Sequence, residues 1–252
     1  MRRIVLVITL ITLAIFGLLF YQYHQQQKEQ QQFAIYQQVL NQKSGEIYQQ
    51  ATDWSKPISI DSHDPRLTAE FQTMADFTLT MMQRNAELRN AYLLRALHTI
   101  GWDQFLNVER LAKDKQQHYS ETEKMLQQVQ ITMDLYQKNL DQQQQQIQNQ
   151  INNLSIKARL RRYLTKTLAQ TNPLDDHQTL FKLEKLRLQK AQQLFQLLKK
   201  HRWINQNQMI MLYDQQVVTQ FNTLYQDIVQ IDQQINQLSL HHQTALKKSL
   251  SH

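Results

Sequence analysis

From residue 4 to residue 20 the chain reads IVLVITLITLAIFGLLF, an apolar block interrupted by nothing more polar than threonine. Downstream, apolar residues recur at three, four or seven positions, the spacing of one helical face. The block itself is carried by Ile4, Leu6, Ile11, Leu13, Phe16, Leu19 and Phe20. Seventeen helical residues at about 1.5 Å each cover roughly 26 Å, near the lower limit for crossing a bilayer core. Phe20, Tyr21 and Tyr23 stand where interfacial aromatics belong, and Arg2 and Arg3 precede the block. By the positive-inside rule the N-terminal side stays in the cytoplasm and residues 22–252 cross. A cleaved signal peptide would end in a small-x-small site. The chain runs Tyr21-Gln22-Tyr23-His24 instead, so an uncleaved transmembrane signal anchor over 4–21 is expected.

After the block, Phe33, Tyr36, Leu40, Ile47 and Trp54 continue one seam, which predicts a helical stalk over 22–52. Pro57, Ser59, Asp61 and Ser62 interrupt it, giving a loop over 53–64. Asp64-Pro65 then reads as an N-cap followed by proline at the first helical position. Leu67, Phe71, Met74, Met81, Leu88 and Tyr92 form the face of the helix expected there, up to a turn at Gly101.

The most regular pattern follows. Phe105, Ala112, Tyr119, Leu126, Met133, Leu140, Ile147 and Leu154 lie at strict intervals of seven, with Val108, Lys115, Thr122, Val129, Tyr136, Gln143 and Gln150 as companions. Such a heptad predicts a left-handed supercoil. Unbroken from Trp102 to Asn152, that helix would be about 75 Å long. A short basic helix is expected over 155–170, and Asn172-Pro173 restarts another that ends at Lys199-Lys200-His201-Arg202. A last helix from about Asn205 carries a second seam: Val217, Phe221, Leu224, Ile228, Ile231, Ile235 and Leu238. Residues 241–252 read as a polar tail. Two seams of this regularity require partners. They pair with each other in an antiparallel coiled-coil hairpin, or one packs on a second copy or another protein.

Composition sharpens the picture. Three glycines and three prolines in 252 residues leave too few turn formers for a β-rich fold. The 45 glutamines favour long solvated helices, since glutamine is a good helix former and the apolar spacing persists through its runs. The expected class is therefore all-α: a transmembrane helix, then an elongated helical ectodomain over 65–240. The absence of cysteine excludes a disulfide framework, thiol chemistry and a lipoprotein anchor.

The net charge of +7 is unevenly spread. Residues 155–202 hold 12 Lys and Arg against 3 Asp and Glu, while the remainder holds 16 against 18. Within that segment Arg159, Arg162 and Lys166 share one helical face. A solvated face is the plainer reading, and a contact with anionic lipid or an acidic partner is the functional one. Nucleic acid is not expected, because the anticipated topology keeps the segment away from cytoplasmic DNA.

Catalytic patterns are missing. The sequence contains no Glu-x-x-His, no His-Glu-x-x-His, no Gly-x-Ser-x-Gly and no glycine-rich phosphate loop. Asp61-Ser62-His63-Asp64, Asp175-Asp176-His177 and His241-His242 read as capping and solvated residues. Met81-Met82 and Met209–Met211 read as core filler more readily than as a copper site. Neither a metal nor another cofactor is expected. The function that fits is a non-catalytic scaffold or assembly factor, anchored in a bacterial inner membrane with its bulk in the periplasm. Its partners would be envelope proteins of a secretion or division machine, or a second copy of itself. A helical sensory ectodomain acting through a partner membrane protein is the alternative.

Overall fold

The computed structural model describes the backbone of residues 2–170 and 174–250 and the side chains of 23–168 and 179–238. Helix covers 79% of the chain and the described residues hold one small two-stranded sheet, so the class is all-α. Among the described residues no helix is long and apolar enough to cross a membrane. The side chains of residues 1–22, where the anchor is expected, lie outside the described residues.

The first helix, α1 (Arg2–Ala51), is continuous through the expected stalk. Tyr36, Val39, Ile47 and Ala51 are buried along it, as its seam demands. The Ala51 carbonyl at its end accepts from Asn90 Nδ2 at 3.1 Å and Arg89 Nη2 at 3.3 Å. Those two side chains occupy carbonyl positions that a helix C-terminus otherwise leaves to water.

The next helix, α2 (Ala69–Arg89), begins five residues after Asp64, not at it. Asp64 does not cap a helix. Its carboxylate accepts from Arg66 through the backbone N–H at 3.0 Å and the guanidinium at 2.9 and 2.8 Å. Residues 52–68 instead form an extended strap that returns along α1, so α2 runs parallel to α1. Gln32 Nε2 meets the carbonyl of Arg66 near the start of α2, and Ala51 meets Asn90 just past its end.

Extended backbone without a sheet partner needs other hydrogen bonds, and glutamines supply them. Gln50 exchanges two bonds with the backbone of Ser59, at 2.9 and 2.8 Å. Gln83 donates to the Ile58 carbonyl, while Gln72 donates to Ser62 and accepts from Asp64 N–H. Gln32 donates to Arg66 and accepts from Thr68 N–H.

A π-helix (Asn90–Ala96) extends α2 into the short α3 (Leu97–Ile100). Gly101 closes α3 in the left-handed region at φ +80°, and a 3-10 turn (Trp102–Gln104) follows. The expected 75 Å helix is split in two. Helix α4 (Val108–Gln116) is separated from α5 (Ser120–Asn152) by a turn in which His118 and Tyr119 have φ of 57° and 62°. The break is made by Asp114, only 1% exposed, whose carboxylate accepts from Glu121 N–H, Thr122 N–H and Thr122 Oγ1. These bonds cap α5 from inside the molecule. The heptad keeps its phase because Phe105, Tyr119, Leu126, Met133 and Leu140 still enter one core. Ile147 and Leu154 pass to a second core with Tyr36, Phe71, Met74 and Ile151.

Helices α6 (Ala158–Gln170) and α7 (Leu174–Lys200) follow; the expected restart at Asn172-Pro173 lies outside the described residues. The last helix does not begin near Asn205. A β-hairpin stands there, β1 (Trp203–Gln206) paired antiparallel with β2 (Met209–Leu212), and α8 (Gln215–Leu250) starts after it. Asp214 caps α8 by accepting from Gln216 and Val217 N–H. The backbone of α8 stays helical through 241–250, where a tail is expected.

The seam of α5 meets α7, not the last helix. Tyr136 packs on Phe181 with ring centroids 5.1 Å apart, and Tyr119 on Phe195 at 5.6 Å, an antiparallel arrangement. Helix α7 carries its own heptad of buried residues: Phe181, Glu184, Leu188, Ala191, Phe195 and Leu198. The seam of α8 lies against α7, again antiparallel, with Val217, Ile228 and Ile231 buried and Phe221, Leu224 and Ile235 half-buried.

Candidate interaction surfaces

Five of the twelve basic residues in the segment pair with acids elsewhere in the fold. Lys157 pairs with Glu70 at 3.0 Å, Arg159 with Glu29, Lys190 with Asp227 at 2.7 Å and Lys199 with Glu123. Arg187 Nε reaches Asp232 at 2.7 Å. Each of these acids lies outside the segment, so these five cations join elements of the fold. The expected face of Arg159, Arg162 and Lys166 divides accordingly. Arg159 turns toward α1, and Arg162 and Lys166 remain exposed, with no ion pair among the described residues.

Around Arg187 the polar groups are buried together. Trp102 Nε1 donates to Glu184 Oε2 at 3.2 Å, Arg187 lies 3.7 Å from the same oxygen, and its guanidinium sits 4.8 Å above the Trp102 ring. Burial pushes the Glu184 and Asp232 carboxyls up, and Arg187 opposes this in both. Its contacts join α7, α8 and the turn at Trp102. Periodicity alone could not mark Glu184, since a charged residue at a seam position is most often exposed.

The hairpin rests on a second polar cluster. Trp203 is 1% exposed; its Nε1 donates to Tyr119 Oη at 2.8 Å, and Tyr119 donates to the Leu198 carbonyl at 3.2 Å. Lys115 Nζ donates to the Trp203 carbonyl and lies 4.6 Å over its ring. Register pairs Trp203 with Leu212 toward the core, and Ile204 with Met211 and Gln206 with Met209 on the other face. That outer face is apolar and open: Ile204, Met209 and Met211 are 43%, 58% and 42% exposed, and Tyr213 beside them 65%.

No family model matches the chain, and no curated protein or solved structure is similar to it. What its surfaces can do rests on their own residues.

Met209 and Met211 are thus not core filler, whereas Met81 is buried as expected. The outer hairpin face leaves no mark in the sequence, because four-residue strands joined by Asn207-Gln208 carry no glycine signal. Asp61 accepts from His63 N–H and Asp64 is occupied by Arg66, so that cluster is a turn. Asp175-Asp176-His177 and His241-His242 lie outside the described side chains. Among the described residues no group of three His, Asp or Glu is placed to hold a metal ion. One open groove, of about 530 Å³, lies between Leu197 and Lys200 on α7 and Thr219 and Leu224 on α8.

Proposed function

We propose that this protein is a non-catalytic, membrane-anchored scaffold or assembly factor of the bacterial envelope. Residues 4–21 form the anchor, the N-terminal side is cytoplasmic, and the helical bundle works in the periplasm. The observation that carries the reading is the continuity of α1. One helix runs from Arg2 to Ala51, and its second half is locked into the bundle through Tyr36, Val39, Ile47 and Ala51. No loop intervenes between the apolar block and the bundle, so an anchor there would hold the bundle at a fixed distance and angle. A tether for a flexible domain would need no such continuity; a scaffold does.

In-cell crosslinking of the full chain, followed by purification and mass spectrometry, tests this. The expected result is recovery of a discrete envelope protein or a defined oligomer of the chain. Recovery only of soluble cytoplasmic proteins would overturn it.

A further inference from the structure

We infer that the β-hairpin is a docking edge for an extended, acidic-flanked apolar segment of a partner protein, which adds as a strand to β2. The inference deepens the scaffold reading by naming the surface and the partner's chemistry.

Three observations converge on the hairpin. First, its outer face gathers Ile204, Met209, Met211 and Tyr213, four exposed large apolar side chains within ten residues. Contiguous apolar exposure of this kind marks contact surfaces.

Second, the sheet ends at β2. The far side of β1 lies against α4, where Lys115 takes the Trp203 carbonyl. With a two-residue turn at 207–208, Gln206–Met209 and Ile204–Met211 are the hydrogen-bonded pairs. The N–H and C=O of Ile210 and Leu212 therefore point outward, and no partner takes them among the described residues. An unpaired strand edge is a template for a further strand.

Third, charge selects the partner. Residues 199–213 contain Lys199, Lys200 and Arg202 and no Asp or Glu. Lys199 is engaged by Glu123, Arg202 lies 5.5 Å over the Tyr213 ring, and the neighbouring Asp214 is occupied in capping α8. The edge is thus basic as well as apolar. A second copy would bring like charge to like charge. Lipid is disfavoured by position: α5 spans about 50 Å between Tyr119, beside the hairpin, and Ile151, in the core shared with Phe33 and Tyr36 of α1, on the side of the proposed anchor.

The test places the photocrosslinking amino acid p-benzoylphenylalanine at Met209 or Met211 in the full chain in cells, with Ile131 on α5 as the exposed control. The expected result is an adduct with one protein, whose crosslinked peptide alternates apolar and polar residues and carries Asp or Glu at its flank. Lys200→Glu with Arg202→Glu should lower that yield at least fivefold while Trp203 emission stays as in the parent. Ile210→Pro, which removes one outward amide, should abolish it while Trp203 emission stays as in the parent; Ile210→Val should keep it. An adduct with lipid, with a second copy, or with a peptide lacking carboxylates overturns the inference, as does a yield no higher than at Ile131 or full yield from Ile210→Pro. None of these outcomes depends on which side of a membrane the bundle occupies, so the anchor and the docking edge fail separately.

Discussion

The indole of Trp102 donates to Glu184 across 82 residues of sequence, and Arg187 covers the same ring while bridging to Asp232. Three elements that periodicity treats separately are joined at this point. Removing the cation, as in Arg187→Met, leaves two carboxylates without their counter-charge. Breaking a buried pair from one side costs roughly 3–5 kcal/mol, and less here because Asp232 is partly exposed. A drop in thermal stability with helicity retained at low temperature is the expected outcome. An unchanged melting temperature would remove Arg187 from the core.

The same group sets a pH dependence. Burial holds the Glu184 carboxyl above its usual range. As pH rises, the unfolded chain releases this proton before the folded one does, so stability falls from about pH 4 upward. Glu184→Gln keeps an acceptor for Trp102 and removes the titration. The difference in melting temperature, variant minus parent, should therefore increase between about pH 4 and pH 7. A flat difference would mean that Glu184 is solvated. Asp64 has the opposite sign: its hydrogen bonds with Arg66 hold it down at about 2, and its contribution disappears as pH falls toward that value.

The hairpin turn has a built-in strain. Asn207 and Gln208 both have positive φ, 53° and 62°. Asparagine tolerates this region, but glutamine is disfavoured there by about 1 kcal/mol. Gln208→Gly should stabilise the protein by up to about that amount in thermal unfolding. Destabilisation by this substitution would show that the turn is not of this type.

Two tyrosines separate paired from unpaired hydroxyls. Tyr119 Oη accepts from Trp203 and donates to Leu198, whereas Tyr136 Oη is buried without a partner among the described residues. Tyr119→Phe strands two polar groups and should cost about 1–3 kcal/mol. Tyr136→Phe should be neutral or stabilising. Equal losses in chemical denaturation would contradict the assignment.

Sequence periodicity reached the long helices and stopped at what interrupts them. The seam Tyr36, Leu40, Ile47 follows α1 toward its observed end at Ala51, because the second half of that helix packs one face into the bundle. The heptad from Phe105 to Leu154 marks core residues but not a single helix, since Asp114 caps α5 from seven and eight residues upstream, which apolar spacing does not encode. The strap over 52–68 was legible only as a loop; its path depends on Gln32, Gln50, Gln72 and Gln83, chemically identical to the exposed glutamines at 142 and 144–146. The basic segment was visible as a charge excess, and its division into bridges and free residues followed from acids far away in sequence.

Whether the apolar block on α1 anchors the bundle outside the cytoplasm is tested most directly by topology. A phosphatase reporter active only outside the cytoplasm is fused after His252 in a Gram-negative host, beside a fluorescent reporter that matures only in the cytoplasm. The expected result is phosphatase activity, no fluorescence, and a membrane-bound product that retains residues 4–21. Cytoplasmic fluorescence without phosphatase activity, or a mature chain beginning near residue 22, would contradict the anchored scaffold.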